Sequence, residues 1–164
     1  MKIAAFELED WERESFEKLG DEPDIITLHV PGSEKTRNLI SRPQFERMKK
    51  GTILINTARG FVVDVMELLK ALDEGIVAGA GLDVLPEEPV IRDESELLRS
   101  VFSDQHKLPV LLANSVLANR PDVLITPHIA FNTREAVERL LDTTIRNIVS
   151  FTKGEPQNLV EITK

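Results

Sequence analysis

Residues 51–84 read GTILINTARGFVVDVMELLKALDEGIVAGAGLDV. This stretch decides the fold, because strand and helix patterns alternate in it at short spacing. Ile53 to Asn56 is an apolar run of strand length. Asp64 with Glu67 has the form of an N-cap pair, and Val65, Leu68, Leu69 and Leu72 then recur at helical spacing until Gly75 stops the helix. Ala78 to Val84 is the next strand, and its Ala and Gly content predicts a neighbour packed closely against it. Strand, helix, strand in so few residues is the unit of a parallel sheet.

The same alternation extends both ways. Upstream, Ile25 to Val30 reads as a strand, and Ser41 with Gln44 forms a capping box with Pro43 in the first turn, opening a helix through about Lys49. Ile3 to Phe6 is a further strand, followed by a helix that Asp10 caps, that packs on Trp11, Phe16 and Leu19, and that Gly20 ends. Downstream come a Pro/Glu segment from Pro86 to Pro89, two short helices between Asp93 and Ala113, and a strand from Val123 to Thr126. Asn132 with Glu135 caps a long last helix whose stripe is Ala136, Leu140, Ile145, Ile148 and Phe151. The expectation is a single α/β domain with an about five-stranded parallel sheet flanked by helices, half-Rossmann or flavodoxin-like.

Composition narrows the function. The 164 residues carry a net charge of −8, and no basic cluster exceeds the Lys49-Lys50 pair, which argues against nucleic acid as a partner. Cysteine is absent, which excludes disulfides and thiolate metal sites, and no metal is expected. No apolar run approaches the ~20 residues that span a bilayer, and acids follow at once on the apolar start, unlike a signal peptide. A cytoplasmic protein without a membrane partner is expected.

Ligands of open parallel sheets bind beyond the carboxyl ends of the strands. Those ends carry His29-Val30-Pro31, Asn56-Thr57-Ala58-Arg59-Gly60, Asp83 leading to Glu87-Glu88, and Thr126-Pro127-His128. Arginine offers a planar fork to a carboxylate, histidine exchanges protons near neutrality, and a nearby carboxylate steadies a protonated imidazole. Singly, each has a plainer reading: Arg59 as a surface ion-pair partner, His128 as a loop residue, Glu87-Glu88 as a solvated turn, His106 as part of a polar helix, Asp64 as a cap. Jointly they suit a 2-oxo or 2-hydroxy acid, with arginine on the carboxylate and histidine at the neighbouring oxygen.

With these residues in view, the chain resembles the D-isomer-specific 2-hydroxyacid dehydrogenases, and within them the D-lactate dehydrogenase branch. The resemblance runs from about Asp24 to Val160 and rests on DIITLHVPGSEKTRNLI (24–40), GTILINTARGFVVD (51–64), GAGLDVLPEEP (79–89) and VLITPHIAFNT (123–133). It implies an NAD-dependent oxidoreductase in which Arg59 binds the substrate carboxylate, His128 is the acid/base and Glu88 tunes it. It implies cofactor contacts from His29, Val30, Pro31, Thr57, Ala58 and Asp83, the last near the nicotinamide amide. The span from Asp93 to Asn119 looks like an insertion of the lactate branch.

The chain also departs from that family. Residues 1–20 look like the opening strand and helix of its substrate domain, and residues 24–160 like the second half of its nucleotide-binding domain. Between them the sequence has no G-x-G-x-x-G turn and no acid for the adenosine ribose, and Phe61 stands where the pattern has a glycine. Gly79-Ala80-Gly81 lies inside a strand and replaces nothing. Ile3 to Phe6 is expected to take the vacated place beside the strand led by Asp24, which would otherwise be an unpaired apolar edge. The turn after it is Glu7-Leu8-Glu9-Asp10, three acids that repel a pyrophosphate. NAD binding and turnover by this chain alone are therefore expected to be weak or absent. The alternative is a non-catalytic fold remnant or engineered minimal domain that folds, or forms a homodimer, without turnover. A phosphoacceptor receiver domain is rejected, because Asn56-Thr57-Ala58-Arg59 stands where its aspartate would end the third strand.

Overall fold

The computed structural model describes residues 1–6, 23–87 and 108–159. They fall in two units, Met1–His128 and Ile129–Lys164. The helix expected from Asp10 to Gly20, the acidic turn before it, Glu88 and His106 lie outside the described residues.

The first unit holds a five-stranded sheet in the order β1-β2-β3-β4-β5, with every pair parallel. The strands are β1 (Ile3–Phe6), β2 (Ile25–Leu28), β3 (Thr52–Asn56), β4 (Val77–Leu82) and β5 (Val123–Ile125). β1 lies beside β2, with Ile3 opposite Ile25 and Phe6 opposite Leu28, the pairing expected from the exposed-edge argument. Among the described residues of this unit there are three α-helices: α1 (Arg42–Phe45), α2 (Val65–Asp73) and α3 (Leu108–Ala118).

An order without a reversal has a consequence. Right-handed crossovers that always step in one direction put their helices on one face of the sheet. Burial follows that rule. Ile26, Leu28, Leu54, Ala80 and Leu82 are buried, together with Phe45 of α1, Leu68 and Leu72 of α2, and Leu117 of α3. The alternate residues form rows on the other face: Ile3, Ile25, Ile53 and Gly79 in one, Ala5, Thr27, Ile55, Gly81 and Leu124 in the next. Of these, Ile3 is 59%, Ile53 42% and Leu124 68% exposed. The sheet is thus half-Rossmann in its winding, with one well-packed face.

Local signals placed the starts of α1 and α2. The Ser41–Gln44 capping box forms, and Asp64 caps α2 by accepting from the Met66 and Glu67 amides. Gly75 follows α2 at φ 68°, a conformation glycine adopts without strain. α1 is shorter than the expected run to Lys49. Its successors tighten into i→i+3 bonds, Arg47 to Gln44 and Met48 to Phe45, and the Lys49 carbonyl is taken by Thr52. Gly79 bears out the close neighbour expected of β4, since a Cβ there would lie 3.1 Å from the Asp122 carbonyl oxygen.

The second unit is built on α4 (Arg134–Thr152). Its cap is Thr133, whose hydroxyl accepts from the Ala136 amide, not Asn132. Asn132 instead closes a turn through its amide to the Ile129 carbonyl at 2.8 Å. No residue of α4 is buried, and its stripe residues Leu140, Ile145, Ile148 and Phe151 are all exposed. Among the described residues no helix is long and apolar enough to cross a membrane.

Asp24 secures the edge strand. Its carboxylate accepts from the Lys2 amide at 2.8 Å and from Lys49 Nζ, while its own amide donates to the Lys2 carbonyl. These bonds, the Lys49 side chain foremost, lower its pKa from 3.8 to about 2. A depressed carboxyl stabilises the fold above its unfolded value and loses that effect as pH falls through the folded one. We expect denaturant stability to fall between pH 3.8 and about 2. Asp24→Asn should lack that component and show faster amide exchange in β1 at neutral pH; an unchanged acid profile would remove Asp24 from this role.

Candidate active site

The site begins at the carboxyl end of β3. Asn56 is 1% exposed and uses both ends of its amide: Oδ1 accepts from the Ala58 amide and Nδ2 donates to the Arg59 carbonyl, each at 3.0 Å. This brace turns the chain so that Ala58 is buried and Arg59 faces outward. The Arg59 stem lies over Gly32, where a Cβ would come within 2.8 Å of its Cγ. Its Nη1 donates to the Ala58 carbonyl at 2.7 Å, and no carboxylate pairs with it among the described residues. In a chain of net charge −8, that leaves a guanidinium available to an external anion.

Gly60 permits the next contact. A Cβ there would fall 2.0 Å from the Leu85 carbonyl carbon and 2.3 Å from the Pro86 nitrogen, so the loop leaving β4 passes directly against it. Phe61 follows, its ring 4.9 Å below the Arg37 guanidinium, and its carbonyl accepts from the Asn38 amide. Arg37 is paired with Glu34 through two hydrogen bonds, which lower the Glu34 pKa and raise that of Arg37.

Asp83 joins the three strand ends. Its amide donates to the Asn56 carbonyl, its carbonyl accepts from the His128 amide at 2.9 Å, and its buried carboxylate accepts from the Thr126 hydroxyl. His128 has φ 57° and Glu87 φ 61°. Two non-glycine residues in the left-handed region, at adjacent strand exits, mark strain of the kind that gathers at functional sites.

Arg59 and His128 line one cavity of ≈ 570 Å³, together with Arg37, Phe61, Val110 and Glu87. Two of the three expected catalytic residues are thus brought together; Glu88, the third, lies outside the described residues, and its neighbour Glu87 lines the cavity. The expected cofactor contacts divide. His29 is exposed, held between the Thr27 hydroxyl at 3.0 Å and the Thr57 hydroxyl at 3.3 Å, and Pro31 is exposed beside it. Val30 and Ala58 are core residues, 2% and 5% exposed, so only their backbone is left for a ligand. Asn56 and Gly60 shape the rim, and the strand-end reading quoted both without assigning a role. Asn56 had a signal, a polar residue ending an apolar strand; Gly60 had none apart from its contact.

A one-directional parallel sheet with an arginine and a histidine at its strand ends has the winding of half a nucleotide-binding fold, with its candidate site where such folds bind ligands. Comparison agrees. Residues 2–130 match the family model described as D-isomer specific 2-hydroxyacid dehydrogenase, NAD binding domain, and the chain belongs to that family. It is similar to the glycerate dehydrogenase of Methylorubrum extorquens, 37% identical over 162 residues covering 98% of this chain and 46% of that protein. A glyoxylate reductase of Thermococcus litoralis is 40% identical over 146 residues, covering 88% of this chain and 38% of that protein. The structure of D-lactate dehydrogenase with NAD+ from Lactobacillus jensenii superposes with a TM-score of 0.75 at 30% identity, covering 98% of this chain and 48% of that one. The chain therefore spans less than half the length of these relatives.

The two glycines of the site differ in what a methyl group would meet. Gly60→Ala collides with backbone and should lower unfolding free energy by about 1–3 kcal/mol. Gly32→Ala meets the far more mobile Arg59 stem and should cost well under half of that. Equal losses in urea denaturation would contradict the assigned contacts.

Proposed function

We propose that this chain binds the carboxylate of a small 2-oxo or 2-hydroxy acid at Arg59, with His128 exchanging the proton on the adjoining oxygen, and that its unaided turnover is weak or absent. One observation carries the reading: Arg59 has no carboxylate partner among the described residues and shares its cavity with His128. The guanidinium fork orients the acid by two parallel bonds, which puts its second carbon and oxygen near the imidazole. Glu88 is assigned the role of steadying the protonated imidazole.

NAD(H), when bound, supplies or accepts the hydride. His29, Pro31, Thr57 and Asp83 sit at strand ends suited to its nicotinamide end. The sequence after β1, with Glu7, Glu9 and Asp10, does not suit the pyrophosphate. That mismatch, and the open side of the cavity, limit hydride transfer, which needs a dry and fixed geometry. A cytoplasmic setting and a homodimer belong to the same proposal; the exposed Ile53 and Leu124 favour the dimer. They equally support the second reading, a non-catalytic domain that folds or associates without turnover.

Titration of pyruvate and NADH against the purified chain, followed by an NADH-oxidation assay, tests this. We expect measurable pyruvate binding that Arg59→Ala weakens about tenfold or more, the scale of a lost charge-assisted pair. NADH binding should be weak, with little turnover. Pyruvate affinity indifferent to Arg59→Ala would end the carboxylate assignment. Saturable NADH binding, with brisk turnover that both Arg59→Ala and His128→Ala abolish, would overturn the assignment of silence.

A further inference from the structure

The turn that carries Glu87 is gripped from a second direction. On α3, Asn114 donates from Nδ2 to the Pro86 carbonyl at 2.8 Å. Asn114 is 3% exposed, and the other buried residues of that helix are Leu111, Ala113 and Leu117. Its Oδ1 is buried and has no hydrogen-bond partner among the described residues. An apolar side chain of similar size would fill the same space without a stranded acceptor, so packing alone does not account for an amide there.

The bond it makes does account for it. The Pro86 carbonyl belongs to the peptide that enters Glu87, and the orientation of that peptide sets the Glu87 φ. Glu87 has φ 61°, a conformation that glutamate adopts only when its surroundings impose it. Gly60 bears on the same segment from the β3 side, at Leu85 and Pro86. One contact therefore fixes where the turn lies, and the other fixes which way its peptide faces.

We infer that Asn114 is a positioning residue: through the Pro86 carbonyl it holds Glu87 left-handed and keeps Glu87 at the cavity of Arg59 and His128. The functional weight of this placement rests on the carboxylate-binding reading above; the placement itself does not. α3 thereby belongs to the site through this bond as well as through Val110, which lines the cavity.

The test uses the full chain and N114L, which keeps the volume and removes the donor. A left-handed residue gives a strong intraresidue amide–Hα NOE, and an extended one a weak one. In the parent chain Glu87 should show the strong signal, and the Asn114 side-chain amide protons should exchange slowly. In N114L we expect the Glu87 signal to be lost at an undiminished melting temperature, and pyruvate binding to weaken by about fivefold, the scale of one hydrogen bond. N114M, apolar and of similar volume, gives the same readout if N114L fails to fold. A Glu87 signal that survives removal of the donor overturns the inference, as do fast-exchanging Asn114 amide protons in the parent. Loss of the signal with pyruvate affinity unchanged upholds the positioning and counts against the carboxylate reading instead.

Discussion

The carboxyl end of β4 is tied to both neighbouring strands by the backbone of one residue, since the Asp83 amide donates to the Asn56 carbonyl and its carbonyl accepts from the His128 amide. The first bond meets the last paired residue of β3, and the second reaches His128, three residues past the last paired residue of β5. The Asn56 brace, the close approach at Gly60 and the left-handed His128 all hang on those two bonds. Remove them and Arg59 and His128 would still follow their strands, but on loops with nothing fixing one against the other. Rigid sheet ends that carry divergent loops are the reason such rims serve as sites.

The relatives help to interpret what the rim lacks. Family members of more than twice this length include proteins whose structures hold NAD, and the matched family model is itself an NAD-binding domain. Residues 2–130 match that domain, and within them 52–60 and 77–87 are joined by hydrogen bonds between consecutive strands. The geometry there is local, because each loop is braced by its own side chains and its nearest neighbour. Arg59, pinned by its own chain and by Gly32, is preorganised in this local sense.

Much of this was legible in the residues. Strand positions followed from short apolar runs, and the starts of α1 and α2 from Ser41, Gln44 and Asp64, because caps are local chemistry. Parallel pairing of Ile3–Phe6 beside β2 followed from the cost of an open edge. What resisted reading depends on local turns and on contacts between distant segments. α1 ends early where the Arg47 and Met48 amides bond three residues back instead of four. The cap of α4 falls on Thr133, one residue past a turn from Ile129 to Asn132. Asn114 is only a polar letter in an apolar helix until the Pro86 carbonyl is seen beside it. Burial on one sheet face, likewise, requires the strand order, which composition and periodicity do not contain.

That strand order also bears on how the chain reaches its structure. Each strand lies beside its predecessor in sequence, so no strand must wait for a later one to be inserted between it and its partner. Contacts in the sheet span one strand-to-strand connection at most, which keeps contact order low for a parallel sheet and favours quick assembly. A doubly wound sheet of the same size grows at both edges from a central first strand, so one of its strands must pair with a partner far behind it in the chain. Here the sheet can be laid down from β1 to β5 in the direction of synthesis, each new unit docking on an edge already formed.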